Sequence, residues 1–149
     1  MAPSARFQRV IPDNELEVPS DKVRKLVFCS GKLYYELLAA RQAEGGESAH
    51  DVALVRIEQL FPFPFDLVGA EVAKYPNAEV VYAQEEPKNM GAWAHVQPRI
   101  RTAILELADR PVGARHARYV GRSSTAATAA GYGALHTEEQ KAVVSEALS

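Results

Sequence analysis

The sequence holds a single cysteine, Cys29, among its 149 residues, which excludes an intramolecular disulfide and any cysteine-rich zinc site. Long apolar runs are missing too. Stretches such as Leu26-Val27-Phe28-Cys29 fall far short of the ~20 residues that a membrane-spanning helix needs. Nor does one sign of charge dominate: 17 Lys plus Arg stand against 19 Asp plus Glu, for a formal net charge of −2. A chain of pI about 6.1 lacks the broad positive field of a nonspecific nucleic-acid binder, so neither nucleic acid nor membrane is an expected partner. Met1-Ala2-Pro3-Ser4-Ala5-Arg6 has a charge but no apolar segment behind it, and no secretory signal is read there. No G-x-S-x-G, H-E-x-x-H or G-x-G-x-x-G occurs, and His50, His95, His116 and His136 do not share the spacing of a helical metal pair.

What is present is an ordinary globular composition, 47% apolar and 24% charged, in about one domain's length. Residues 1–21 are polar and punctuated by Pro3, Pro12 and Pro19, and read as an extended arm ahead of a domain over 22–149. Lys25 to Cys29 is a short apolar run with the character of a buried strand. Ser30-Gly31 ends it, and Lys32 to Arg41 has the period of a helix, stopped by Gly45-Gly46. Asp51 to Glu58 is a second strand, and a helix follows from Phe65 to Lys74, broken by Tyr75-Pro76-Asn77. Glu79 to Gln84 is the third strand and Ala92 to Leu107 the next helix. Ala117 to Gly121 is a fourth strand. After a small-residue loop from Arg122 to Gly133 comes a last helix from about Thr137 to Leu148, where Thr137 and Gln140 match a capping box.

Strands that alternate with helices demand crossover connections, so the expected fold is α/β, a mainly parallel sheet with helices on both faces. Ligands of such sheets sit beyond the carboxyl ends of the strands. Function is therefore sought at Ser30-Gly31-Lys32, Glu58 to Pro62, Gln84 to Gly91 and Gly121 to Ser124. Ser30-Gly31-Lys32, at the entry to a helix, suits an anion, but a capping serine and a tight turn are the commoner form of such a sequence. Arg118 and Arg122, with the hydroxyls of Ser123 to Thr125, suit a phosphate, or are solvated arginines; Arg9 and Arg41 are candidates to join them. Glu85 and Glu86, two adjacent carboxylates at a strand end, suit acid–base work or a metal, or else helix-dipole complementation and interface hydrogen bonds; successive strand residues point to opposite faces, so the two have different partners. Asn89 and Trp93 belong to the same distinctive stretch. Leu60-Phe61-Pro62-Phe63-Pro64-Phe65 cannot be helical, because each proline disfavours the α region at its predecessor. Phe61, Phe63 and Phe65 are costly to leave in water, so they either fold back on the core or bury in another domain or subunit; a docking surface there would include Glu85, Glu86, Asn89 and Trp93 as further interface candidates. No complete catalytic constellation is read.

The segments Val27 to Leu37, Asp51 to Pro64, Gln84 to Trp93, Arg118 to Arg122 and His136 to Gln140, in this order, together with Phe7 to Pro12, resemble the C-terminal domain of the thiamine-diphosphate-dependent decarboxylating component of 2-oxoglutarate dehydrogenase. The resemblance covers nearly the whole chain. It implies a transketolase C-terminal-like fold, usually with one antiparallel strand, and a parent enzyme that decarboxylates 2-oxoglutarate and passes a succinyl group to lipoyl-lysine. Thiamine diphosphate and Mg would be held by upstream domains, and this domain alone would bind neither and be inactive. The implied partners are those upstream domains, a second subunit of a homodimer, and the dihydrolipoyl succinyltransferase component, in bacterial cytoplasm or mitochondrial matrix. Met1 resembles an internal position of the family, so the 149 residues look like an excised domain or a fragment. Some members bind acetyl-CoA as an activator, and the positions that resemble those anion-binding residues are Arg9, Ser30, Lys32, Arg118 and Arg122, with Arg41 as an addition. The alternatives are a stand-alone acetyl-CoA- or nucleotide-binding module and the same domain of a 2-oxoadipate dehydrogenase.

Overall fold

A computed structural model of the chain describes residues 6–43, 49–106, 115–127 and 131–149. Its elements are β1 (Val10–Ile11), β2 (Lys25–Cys29), α1 (Leu33–Ala43), β3 (Val52–Ile57), α2 (Phe65–Lys74), β4 (Glu79–Ala83), α3 (Trp93–Leu105), β5 (Arg118–Val120) and α4 (Gly133–Leu148). The five strands form one sheet in the order β1-β3-β2-β4-β5. β2 to β5 pair in parallel, while β1 runs antiparallel to β3 with Val10 opposite Ile57.

Period-two alternation explains the two cores. Leu26 and Phe28 of β2, Val55 and Ile57 of β3, and Val80 and Tyr82 of β4 face α2 and α3. Val27 and Cys29, Leu54, and Val81 and Ala83 face α1 and α4. Side chains such as Leu26, Phe28 and Leu54 are wholly removed from solvent, each stabilising the fold by about 1.5–3 kcal/mol. α2 starts where Pro64 ends the proline-bearing loop, carries Asp66 in its first turn where the helix dipole favours a carboxylate, and stops at Tyr75 before Pro76.

Three expectations change. The arm is not merely extended: Val10 and Ile11 add the antiparallel edge strand. α4 begins at Gly133 rather than Thr137. The His136 N–H already bonds to the Tyr132 carbonyl, and Thr137 Oγ1 donates back to the Gly133 carbonyl at 3.0 Å instead of capping. Ser30 does not cap α1 either; its hydroxyl donates to the Ile57 carbonyl at 2.8 Å. The Gly45-Gly46 stop and the end of the third expected helix at Leu107 lie outside the described residues.

Candidate site at the carboxyl ends of the strands

The strand order places β3 on one side of β2 and β4 on the other, so the connections leaving β2 and β4 part to opposite faces. α1 packs in one core and α3 in the other. A crevice opens at such a topological switch point. Here it is a cavity of about 530 Å³ whose lining includes Ser30, Phe61, Tyr82, Glu85, Glu86 and His95.

Its back wall is set by Gln84, a buried polar residue at the end of β4. The Gln84 amide nitrogen donates to the carbonyls of Glu86, Pro87 and Met90 at 3.1, 3.1 and 2.8 Å, and its oxygen accepts from the Trp93 N–H at 2.9 Å. One side chain thus closes the whole Glu85-to-Gly91 turn onto α3. Gly91 completes the turn at φ +65°, and a Cβ there would lie 2.9 Å from the Gln84 amide oxygen. Burial pushes the Tyr82 hydroxyl up to about 12 and the Cys29 thiol likewise to about 12, so both are neutral at physiological pH.

Lys32 reaches Glu36 at 2.9 Å and Glu85 at 2.6 Å. The hydrogen bonds that Lys32 donates to Glu85 and then to Glu36 hold its ammonium above the ordinary value. Burial pushes Glu36 upward, but the bonds from Lys32 and Gln140 together outweigh it and leave the carboxyl below its ordinary value. Gln140 also donates to Glu85 at 3.2 Å, while the Glu86 side chain is exposed; the adjacent carboxylates therefore have different surroundings. Arg122 donates to Nδ1 of His136 at 2.9 Å and faces Glu139 at 3.4 Å.

The six anion candidates do not converge within one chain. Ser30, Lys32 and Arg122 stand at the carboxyl edge of the sheet. Arg9 is at the same edge, paired with Asp66 at 3.0 Å. Arg118 opens β5 at the opposite edge, bound to Glu79 at 2.7 Å and Glu146 at 2.9 Å. Arg41 is also at that far edge and is buried, bonded to Asp13 and to the Val52 carbonyl.

The interface candidates divide as well. Phe61 is 81% exposed and Phe65 39%, but Phe63 is only 8% exposed and belongs to the core. The expectation that all three face a partner is corrected for Phe63, because its ring is buried in the core on the α2 and α3 side of the sheet. Trp93 lies 6.2 Å from the Tyr82 ring and 5.2 Å from the Tyr119 ring. Asn89 exchanges two hydrogen bonds with the Thr125 backbone. Sequence reading named Gln84 only within a candidate loop and Gln140 only in a capping box, and passed over Asp13. For Gln84 a signal existed, a polar residue closing an apolar strand directly before Glu-Glu-Pro; the partners of the other two lie far away in the chain.

Among the described residues no group of three or more His, Cys, Asp or Glu side chains gathers as a metal site would require, and no helix is long and apolar enough to cross a membrane. The family model described as 2-oxoglutarate dehydrogenase C-terminal matches residues 1–148. The chain belongs to that family. The 2-oxoglutarate dehydrogenase, mitochondrial, of Caenorhabditis briggsae is 47% identical over 145 residues, which is 95% of this chain and 13% of that relative. The 2-oxoglutarate dehydrogenase E1 component of Coxiella burnetii is 45% identical over 144 residues, 96% of this chain and 14% of its own length. This member therefore spans only about one-seventh or less of the curated relatives it matches. Its fold is shared with a split gene transketolase solved as an inactive β4 tetramer, at a TM-score of 0.55 and 17% identity, over 99% of this chain and 44% of the other. The transketolase C-terminal-like architecture read from the sequence is thus the observed one.

Proposed function

We propose that the chain works as the C-terminal assembly and regulatory domain of a 2-oxoglutarate dehydrogenase first component. In the complete enzyme this assigns it to oxidative decarboxylation of 2-oxoglutarate and succinyl transfer to the lipoyl-lysine of a dihydrolipoyl succinyltransferase component, within a homodimer, in the mitochondrial matrix or bacterial cytoplasm. Thiamine diphosphate supplies the carbanion-stabilising chemistry when bound. The described residues offer no cluster fit for its Mg ion; it is the resemblance that assigns this chemistry to upstream domains.

The observation that carries an assembly role is the way Lys32 and Gln84 tie the crevice's edge together. Lys32 is held by Glu36 and Glu85, and Gln84 by four backbone groups. Such a network fixes the shape of this edge. Arg9, Ser30, Lys32 and Arg122 share one edge and are the proposed acetyl-CoA-responsive residues, with other groups contributed by neighbouring domains. A stand-alone nucleotide module is less well supported, since Arg41 and Arg118 are bonded at the far edge.

The test measures 2-oxoglutarate turnover with thiamine diphosphate, Mg²⁺ and an artificial electron acceptor. The purified chain is expected to be inactive. A full-length chimaera, in which the 149 residues replace the matched segment of the Coxiella burnetii E1 component, is expected to turn over. Turnover by the purified chain, or a folded but dead chimaera, overturns the proposal.

A further inference from the structure

Phe61 is presented to solvent by a loop that is otherwise tied down. Behind it, the Leu60 carbonyl accepts from His95 Nε2 at 2.9 Å. Ahead of it, the Pro62 carbonyl accepts from the Gln59 side chain at 2.7 Å, and Phe63 is sunk in the core. The Phe61 ring lies edge-on to His95, at 6.5 Å between centroids. An aromatic side chain that is 81% exposed on a fixed backbone has the form of an interface anchor, because its ordering entropy is reduced before binding. Phe65, 39% exposed, meets Phe63 edge-to-face at 5.0 Å between centroids and widens the apolar corner.

The location of the corner names the occupant. The Arg9 carbonyl accepts from the N–H groups of both Glu58 and Gln59 at 3.0 Å, and Arg9 pairs with Asp66 beside Phe65. The segment leading into β1 therefore arrives at the loop that presents Phe61, and Phe7 on that segment is itself 68% exposed. In the relatives the matched part is C-terminal and makes up only 13–14% of the chain. The bulk of their polypeptide thus enters at this corner, where covalent linkage raises its effective concentration.

We infer that Phe61 is the anchor by which this domain docks onto the polypeptide that precedes it in the longer dehydrogenase chains, filling an apolar socket there. The inference rests on the assembly role proposed above. Hydroxyl-radical footprinting with mass spectrometry reads the solvent exposure of Phe61 directly, in the isolated chain and in the full-length Coxiella burnetii chimaera. Oxidation of Phe61 is expected to fall at least tenfold in the chimaera, while oxidation of Tyr35, 60% exposed on α1, stays within twofold. Equal oxidation of Phe61 in the two chains overturns the inference, even where the chimaera turns over and the assembly role stands. Protection of Phe61 in an inactive chimaera keeps the docking and removes the enzymatic assignment. Equal loss at Phe61 and Tyr35, or protection in the isolated chain that grows with its concentration, also overturns the inference, the latter by making a second copy the occupant.

Discussion

Asp13 takes the place of a strand residue. Past Ile11 the arm leaves β3, and the Leu54 N–H that a longer β1 would have satisfied donates instead to the Asp13 carboxylate at 2.8 Å. Arg41 from α1 binds the same carboxylate, and both side chains are essentially buried. A buried charge is tolerated because it is paired and hydrogen-bonded on every side. Glu71 lacks that provision. Its Oε2 is buried with no hydrogen-bond partner, and burial lifts the carboxyl above its ordinary 4.5, the nearby Lys74 opposing the rise and Asp13 adding to it. A raised folded-state value means that the fold favours the protonated acid. Its contribution to stability is therefore full below pH 4.5 and is lost as pH rises through the folded-state value. Glu71→Gln should accordingly melt higher than the parent at pH 7, with the advantage shrinking as the pH falls to 4. Thermal unfolding followed by circular dichroism at both pH values checks this, and a constant difference would show that Glu71 ionises freely.

Elements differ in how far local sequence determines them, and α4 marks the limit. The Thr137–Gln140 pair has the local form of a helix start, yet the preceding turn is already helical, and Gln140 points across to Glu36 at 2.7 Å. Thr137→Ala tests the reassignment. Loss of a true N-cap costs about 1 kcal/mol, whereas Ala inside a helix is a better former than Thr. The urea midpoint of the variant is expected to hold or rise slightly, and a fall equivalent to about 1 kcal/mol would restore the shorter helix. By contrast β2 and α2 were legible to the residue, because Ser30-Gly31 and the pairs Pro62/Pro64 and Tyr75-Pro76 punctuate them locally. β1 was not legible. Two residues carry no periodicity, and their pairing with Ile57 and Arg56 is a long-range choice. The candidate site divides likewise: the loops at the carboxyl edge follow from strand polarity, but whether Arg118 or Arg122 reaches that edge depends on which end of a three-residue strand each one occupies.

At the scale of the whole molecule the arm is a clasp on the open side of the sheet. β1 covers the edge of β3, Asp13 binds the α1 side through Arg41, and further on the Asp21 carbonyl accepts from Asn77 at 2.8 Å. Two deletions separate this role from that of a passive leader. Removing residues 1–8 takes away only exposed side chains of the described part, and the urea midpoint is expected to stay put. Removing residues 1–13 strips β1 and leaves Arg41 buried without its counter-charge, a loss of about 3–5 kcal/mol. It also bares the N–H and C=O groups of β3, a template for pairing with another chain, so light scattering should rise with protein concentration. Asp13→Asn in the intact chain separates the two effects: β1 still covers the edge, so most of the stability loss should appear without association. Equal urea midpoints for the two deletions would mean that the buried ion pair contributes nothing net and that the sheet is held by its two helical faces alone.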